Sequence, residues 1–342
     1  FQAEDGIRDD WLRLVGSEMC IRDRETASPP TFYLPPDDVD RDRLVPVDGS
    51  SFCEWKGPAR YWADRHRPAE PIGWEYPSPV DDFAALRTHA PVAHVPSLDV
   101  WMVTRWADVE AACNDPARFP AAVTESPTDR ALGGISMMTT DGEPAKRRRR
   151  PFDATLRPRA VEATMPEVFA RLCAEQLDAI AASGRADLVK DYFEPISVLS
   201  LAHAIGIADL VDVPMLTEWF AGLAAGVSNY ENDAAKWARC DAVSADIDAR
   251  LRPRFERVLA EPDGGMLSNL IHAAAGSLDE RMAWAMPSLK LVLLGGLQEP
   301  AHGGATIAHC LLRHPRQLAA MSSDASLVKA AVEEGLRWTA PI

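Results

Sequence analysis

The sequence predicts a mainly α-helical protein with a short all-β segment near its N-terminus. Apolar residues recur at helical spacing throughout residues 160–285. Residues 32–79 instead contain many prolines, turn residues and short alternating runs, a pattern typical of small β-domains. At 342 residues and 47% hydrophobic content, the chain is long enough to bury a large core and to form about two domains.

Charge and cysteine usage exclude several classes of protein. The net charge of −15 argues against nucleic acid as the main partner. The six cysteines show no CxxC and no regular spacing, which favours a reducing cytoplasm over a disulfide framework and suggests no zinc site. No signal peptide or transmembrane stretch is visible, so we expect a cytoplasmic protein without a membrane partner.

Residues 1–25 match nothing that follows them. The runs AEDGIRD and SEMCIRDR resemble translated sequencing-adapter sequence, and the alternative is an ordinary charged tail. In either case we exclude this stretch from fold reasoning. Because the chain starts at Phe1 and stops abruptly at Ile342, we expect it to be a fragment.

Residues 26–79 are predicted to be part of a small β-domain. The runs FYLPPDDV, CEWKG (residues 53–57) and WEYP resemble a bacterial domain of unknown function, number 427. Chemically, Cys53 and Lys56 could form a nucleophile pair. We favour the simpler interpretation, a buried thiol beside a solvated lysine.

From about Val80 the pattern predicts a helix, two short strands and a second helix, forming a small β-rich lobe. A run of five cations, Lys146 to Arg150, follows on a predicted helix. Such a run is often a solvated helix face. It could also bind a carboxylate or phosphate, or an acidic partner protein.

The central stretch, Met286 to Pro315, combines helical periodicity with residues that disfavour a helix. Gly295 and Gly296 each cost about 1 kcal/mol in a helix interior, and Pro300 costs about 3 kcal/mol. One interpretation is a close helix crossing, or two helices joined by a polar turn. The other is a helix opened so that a flat ligand lies against bare backbone.

Taken together, these segments resemble a known family. The runs RTHAPVAHV, VWMVTRWADVEAAC, LLGGLQEP, LLRHP and EGLRWTAPI resemble a bacterial cytochrome P-450, in unbroken order over residues 80–342. The resemblance implies an α-rich fold with a small β lobe and a heme-thiolate monooxygenase. It also implies heme b, electrons from NAD(P)H through a ferredoxin and its reductase or a flavoprotein, and a hydrophobic small-molecule substrate.

The resemblance assigns residues to the heme and its support only in part. In the basic helix, the family's propionate-binding histidine and arginine correspond to Ala145 and Arg149, so only the arginine is kept. Gly295 and Gly296 correspond to the glycines beside the cofactor. Glu334 and Arg337 match the ExxR pair, which has a structural role.

The catalytic pair departs from the family pattern. The acid and alcohol that relay protons during oxygen activation correspond to Gln298 and Glu299, and Thr306 lies too far along the helix to replace them. Gln298 supplies no titratable proton, so we expect Glu299 to act as proton donor through water. This departure also keeps a peroxide-using or non-oxygenating heme enzyme open.

Two further expectations concern the substrate and the axial ligand. The substrate pocket is expected to include Met137, Met138, Leu293 and Leu297. The family's axial cysteine lies in an FxxGxxxCxG loop after the ExxR helix, and no cysteine of this chain lies in such a loop. We therefore expect this chain alone to be inactive. A non-catalytic helical binding fragment is the remaining functional alternative. Separately, the join near Pro79 between the β-domain and the helical part is either a natural fusion or an assembly chimera.

Overall fold

In the computed structural model, the described residues fall into two compact units, which divide between Phe119 and Pro120. The described residues are 44–46, 53–55, 79–95, 100–123, 126–230 and 232–338. Outside these ranges lie the stretch 1–25, most of residues 26–79 and Lys56, which was considered as a pair with Cys53. The predictions made for them stay predictions.

The first unit contains a four-stranded sheet in the order β1-β2-β3-β4. The strands are β1 (Leu44–Pro46), β2 (Cys53–Trp55), β3 (Val92–Val95) and β4 (Val100–Val103). β1 and β2 are antiparallel, β2 and β3 are parallel, and β3 and β4 are antiparallel. Helix α1 (Pro79–His89) precedes β3, and α2 (Trp106–Cys113) follows β4.

This sheet joins strands from both sides of the domain boundary that the sequence predicts at residue 79. Cys53 of β2 pairs with Ala93 of β3, and Glu54 pairs with His94. The predicted order of helix, two strands and helix after residue 80 is confirmed.

The second unit consists of helices, as the sequence predicts. They are α3 (Pro127–Leu132), α4 (Gly142–Leu156), α5 (Pro158–Thr164), α6 (Pro166–Ser183), α7 (Glu194–Ile205), α8 (Val213–Val227), α9 (Ala234–Ala260), α10 (Met266–Ala273), α11 (Leu278–Leu297), α12 (Glu299–Arg313), α13 (Pro315–Ser323) and α14 (Val328–Trp338). A single π-helical turn, Val189–Phe193, leads into α7, and a 3₁₀ turn, Ala325–Leu327, leads into α14.

Local signals in the sequence explain where several of these helices begin and end. Asp212 and Asp233 cap α8 and α9, accepting hydrogen bonds from Met215 N at 2.9 Å and Ala235 N at 2.7 Å. A capping box of Ser277 and Glu280 opens α11. Gly184, with φ of 70°, ends α6 in the left-handed conformation that glycine adopts without strain.

The core of the second unit lies between α7, α8, α9, α10 and α11. Trp219, Phe255, Ile247, Leu289 and Leu293 are among its fully buried members. The crossing of α8 and α9 is so close that a Cβ at Gly222 would lie 2.5 Å from Val243. Since no side chain fits there, glycine is what permits this approach.

The central stretch forms two successive helices with a break at Gln298. α11 ends at Leu297, Gln298 departs from ideal helical geometry (φ −104°, ψ −35°), and α12 begins at Glu299 with Pro300 in its first turn. Within the described part of the chain, no helix combines the length and apolarity needed to cross a bilayer.

Candidate functional site

Helix α11 presents two different faces around the break. Leu289, Leu293 and Leu297 are fully buried and belong to the core. Leu291, Gly295 and Gln298 follow the spacing i, i+4, i+7, are half-buried, and lie outside the core cluster. We refer to Leu291, Gly295 and Gln298 as the ligand face, because the core leaves these three residues partly uncovered.

A loop of the second unit is fixed to α11 close to the ligand face. The backbone N–H of Met137 donates to Ser288 Oγ at 3.1 Å, one turn before Leu291. Within the loop, Ser136 and Thr139 are buried, and the Ser136 N–H donates to Thr139 Oγ1 at 2.9 Å. Met137 packs against the core and Met138 is half-buried. The structure therefore brings the predicted pocket residue Met137 close to the ligand face.

The basic helix α4 is held against α10 and α11 by its arginines. Arg148 donates to the carbonyl of Trp284 at 2.8 Å, and Arg147 donates to the carbonyl of Ala273 at 3.3 Å. Both guanidinium groups also lie over the Trp284 ring, at 5.1 and 5.7 Å from its centroid. Burial, reinforced by the neighbouring Arg147, lowers the pKa of Arg148 from its ordinary value.

The predicted propionate-binding residue Arg149 is engaged more loosely than its neighbours. It forms a 3.5 Å ion pair with Asp153, and its side chain is 34% exposed. A guanidinium has five donors, so one long ion pair leaves donors that could bind a carboxylate bidentately. Ala145, at the position of the expected histidine, offers no polar group.

The predicted catalytic residues Gln298 and Glu299 flank the end of α11. Both are half-buried, and Pro300 beside them is exposed. Because Pro300 has no N–H, the carbonyl of Gly296 loses its usual helical donor. The carbonyl of Gln298 accepts the N–H of His302 at 2.9 Å, which restarts the helical ladder.

The predicted ExxR pair forms, and it lies on a helix packed against α12. Arg337 donates to both carboxylate oxygens of Glu334, at 2.6 and 2.5 Å. Leu336 reaches Gly303, and Ile307 lies so close to Gly335 that a Cβ there would be 2.4 Å from Ile307 Cγ1. These contacts pack α14, the helix that carries the pair, against α12.

Two of the predicted pocket residues and one of the glycines predicted to bind the cofactor pack against other parts of the second unit. Leu293 and Leu297 are 0% exposed and pack in the core. Gly296 lies against α7, where an added Cβ would be 3.0 Å from Leu201. Leu291 and Ser288 were not predicted from the sequence as residues near the ligand face. For Leu291 a signal was available, because it lies four residues before Gly295 and therefore on the same side of a helix.

The described thiols of the second unit lie on helices other than α11. Cys240 is buried on α9, Cys173 and Cys310 are on α6 and α12, and Cys113 is in the first unit. Burial raises the pKa of Cys240, which keeps this thiol protonated. Among the residues that the structure describes, no group of three or more His, Cys, Asp or Glu is placed to hold a metal ion.

A separate cleft of about 540 Å³ opens between α3, α9 and α11. At its base Lys290, with only 2% of its side chain exposed, donates to Ser244 Oγ at 2.6 Å and pairs with Asp248 at 2.7 Å. This cleft was not predicted from the sequence. It is lined by α11 residues other than those of the ligand face.

Comparison with solved structures decides the fold. P450BioI, solved with an acyl carrier protein carrying hexadec-9Z-enoic acid, matches with a TM-score of 0.63 at 21% identity, covering 76% of this chain and 68% of that one. CalO2 matches with a TM-score of 0.62 at 22% identity, covering 76% and 66%. Curated sequence relatives belong to the same family. The chain has the cytochrome P450 fold.

The curated relatives of this chain include bacterial cytochromes P450. Cytochrome P450 130 of Mycobacterium tuberculosis is 27% identical over 280 residues, covering 78% of this chain and 68% of the relative. The 6-deoxyerythronolide B hydroxylase of Saccharopolyspora erythraea is 28% identical over 276 residues, covering 76% and 66%. The chain thus spans about two thirds of the length of these relatives. The family uses heme b and electrons from NAD(P)H.

A second family matches the N-terminal part of the chain. The model of a domain of unknown function (DUF427) matches residues 13–104. This match begins inside the stretch 1–25 that we set aside and continues through β4, beyond the boundary predicted at residue 79. The exact domain limits stay a prediction.

Residues of α11 and α4 carry the chemical groups that one side of a heme would need. Leu291 and Gly295 offer a low, apolar surface on which a flat ring can lie, and Arg149 offers donors for a carboxylate. No described cysteine lies on α11, and no axial ligand is assigned.

Proposed function

We propose that the whole protein is a heme-thiolate monooxygenase that oxidises an apolar small molecule. The observation that carries this proposal is the ligand face of α11. It is left half-buried beside the helix break, in a domain with the cytochrome P450 fold. A half-buried helix face that carries Leu291 and Gly295, and that is followed directly by the ionisable Glu299, is suited to a hydrophobic ligand and to proton transfer.

Individual residues have distinct roles in this proposal. Arg149 holds a heme propionate by a charge-assisted hydrogen bond, and Gly295 allows the ring to approach the helix backbone. Leu291 replaces Leu293 and Leu297 as the apolar contact, because the latter two are core residues. When bound, the heme supplies the oxygen activation that no side chain can supply.

Glu299 is the proposed proton donor. Its half-buried carboxyl follows the ligand face directly, and it is the ionisable member of the pair that replaces the family's acid and alcohol. Gln298 can orient a water by hydrogen bonding, but it has no proton to give at neutral pH. Glu299 would therefore deliver protons through a water at the helix break.

The substrate and partners follow from the same chemistry. Relatives named as a steroid C26-monooxygenase and a vitamin D(3) 25-hydroxylase act on apolar molecules, and we propose an apolar substrate here. Met137 and Met138 would contact it. We also propose a ferredoxin with its reductase, or a flavoprotein, as electron donor, and a cytoplasmic location.

The experiment is a heme titration of the whole protein, followed by two product assays. One assay supplies NADPH and a ferredoxin system, and the other supplies hydrogen peroxide. The proposal predicts a carbon monoxide difference spectrum of the thiolate type and product formation driven by NADPH with a ferredoxin system. Arg149→Gln should weaken heme binding, whereas Arg150→Gln, whose guanidinium pairs with Glu143, serves as the matched control.

Two outcomes would overturn the proposal. Product formed with hydrogen peroxide but never with NADPH would make the protein a peroxide-using enzyme. Absence of stoichiometric heme binding would favour a non-catalytic helical module.

A further inference from the structure

Helix α7 provides the surface against which the break in the central stretch is packed. Ser197 and Leu201 lie one turn apart on the same side of α7. Ser197 Oγ donates a hydrogen bond to the carbonyl of Leu297 at 2.8 Å. Leu201 lies beneath Gly296, at 3.0 Å from where a Cβ would be. Both contacts reach the two residues immediately before Gln298.

The carbonyl that Ser197 binds stands where the helical ladder is interrupted. In a continuous helix, Leu297 would accept from the N–H of Ala301, and Gly296 would accept from residue 300. Residue 300 is proline and cannot donate. At the start of α12, the His302 N–H donates to the carbonyl of Gln298 at 2.9 Å. Ser197 thus supplies a donor at the end of α11.

The bond is buried, which makes it costly to lose. Ser197 is 7% exposed and Leu297 is 0% exposed. Water cannot readily replace the hydroxyl there, so a carbonyl left without a donor carries a desolvation penalty. The break is therefore specified from outside the central helix, by a residue 100 positions earlier in the sequence.

We propose that Ser197 is a positioning residue that fixes the helix break at Gln298 and thereby the place of Glu299. Without the Ser197 hydroxyl, the buried carbonyl of Leu297 loses this donor, and the first turn of α12 opens more often. The location of the break follows from contacts in the chain itself. Only its consequence for proton delivery by Glu299 rests on the proposed function.

A matched control is available on the same helix. Ser200 is as buried as Ser197, at 7% exposure, and its Oγ has no hydrogen-bond partner among the described residues. Removing either hydroxyl takes away one buried oxygen. Only the change at Ser197 removes a hydrogen bond to the break.

The test is hydrogen–deuterium exchange on the whole protein, without any heme requirement. Ser197→Ala should speed exchange of the amides in residues 298–302 by about tenfold, the effect of one lost hydrogen bond. Exchange in residues 285–293 should stay as in the wild type. Ser197→Thr, which keeps a hydroxyl, and Ser200→Ala should both resemble the wild type.

A second readout reports where residue 299 lies. In a Glu299→Cys background, Ser197→Ala should raise the thiol-labelling rate several-fold, while labelling of Leu291→Cys should not change. If Ser197→Ala does not fold, the nearly isosteric pair Ser197→Val and Ser197→Thr makes the same comparison. Equal exchange at residues 298–302 in Ser197→Ala and Ser200→Ala would overturn the inference, and so would a uniform rise across α11 and α12. Neither outcome depends on whether the protein is a monooxygenase.

Discussion

The backbone N–H of Met137 donates a hydrogen bond to the hydroxyl of Ser288, at 3.1 Å and across 151 positions of sequence. This bond connects the loop of residues 135–140 to α11, one turn before Leu291. Ser288 is 1% exposed, so its hydroxyl has no access to bulk water. The loop that contributes Met137 to the proposed pocket is therefore anchored at a buried point.

Replacing Ser288 with alanine should loosen this loop without unfolding the domain. The Met137 N–H would lose a buried acceptor, at a cost of about 1–3 kcal/mol. We expect amide exchange in residues 135–140 to become at least several-fold faster, while exchange in α9 stays unchanged. Ser268→Ala, a buried serine on α10 with 2% exposure, is the control. Unchanged loop exchange would show that the anchor lies elsewhere.

Glu299→Ala in the whole protein should uncouple oxygen consumption from product formation. If Glu299 delivers protons through water, its loss releases more peroxide for each molecule of product. Measuring product and peroxide together gives the ratio, and Glu299→Asp should restore part of the coupling. A wild-type ratio in Glu299→Ala would remove Glu299 from the mechanism.

In the ion pair of Lys290 and Asp248, removing Asp248 should lower the free energy of unfolding more than removing Lys290. Lys290 is 2% exposed, whereas Asp248 is 45% exposed. Asp248→Asn leaves a buried ammonium and should cost about 3 kcal/mol, whereas Lys290→Met leaves a carboxylate that water can reach and should cost less. Urea unfolding of both variants and of the double variant gives the order. The reverse order would contradict this account of the pair.

The crossing of α8 and α9 should not tolerate a methyl group at Gly222. A Cβ there would lie 2.5 Å from Val243 Cγ2, so Gly222→Ala forces the helices apart. We expect a loss of about 1–3 kcal/mol in the free energy of unfolding. Adding Val243→Ala should recover part of that loss. If the two substitutions destabilise additively, the steric explanation is wrong.

The capping box of α11 predicts a pH dependence. Hydrogen bonds from the Ser277 N–H and hydroxyl hold the pKa of Glu280 below its ordinary value. A lowered folded-state pKa contributes stability above the unfolded-state value of about 4.3, and that stability is lost as pH falls through the folded-state pKa. The difference in Tm between wild type and Glu280→Gln should therefore be largest near neutral pH and should narrow below about pH 4.

Ser277→Ala provides the control for this titration. Without the serine hydroxyl, the pH dependence contributed by Glu280 should be smaller than in the wild type. A Tm difference that stays constant from neutral to acidic pH would contradict the assignment.

Local features of this protein could be predicted from its sequence. The pair of Glu334 and Arg337 and the capping box of Ser277 and Glu280 each depend on residues three positions apart, so their spacing was sufficient. The break between α11 and α12 was also predictable, because Pro300 lacks the N–H that a continuous helix needs. The short strands Val92–Val95 and Val100–Val103 were also predicted.

Features that depend on distant contacts could not be predicted. The spacing of Leu293 and Leu297 identifies an apolar row, but apolar residues are found both in pockets and in cores. Only the packing of α7, α8 and α9 shows that this row faces the core. The bonds of Ser197 to Leu297 and of Ser288 to Met137 join residues 100 and 151 positions apart, and no sequence pattern marks them.

The most direct test of the central claim asks whether heme covers the ligand face. The whole protein would carry Leu291→Cys on that face or Ala283→Cys on another side of α11, where Ala283 is exposed and lines the separate cleft. Thiol labelling of each cysteine would be measured by peptide mass spectrometry, with and without one equivalent of hemin. Our account predicts that hemin slows labelling of Leu291→Cys and leaves Ala283→Cys unchanged. Equal labelling of Leu291→Cys with and without bound hemin would contradict it.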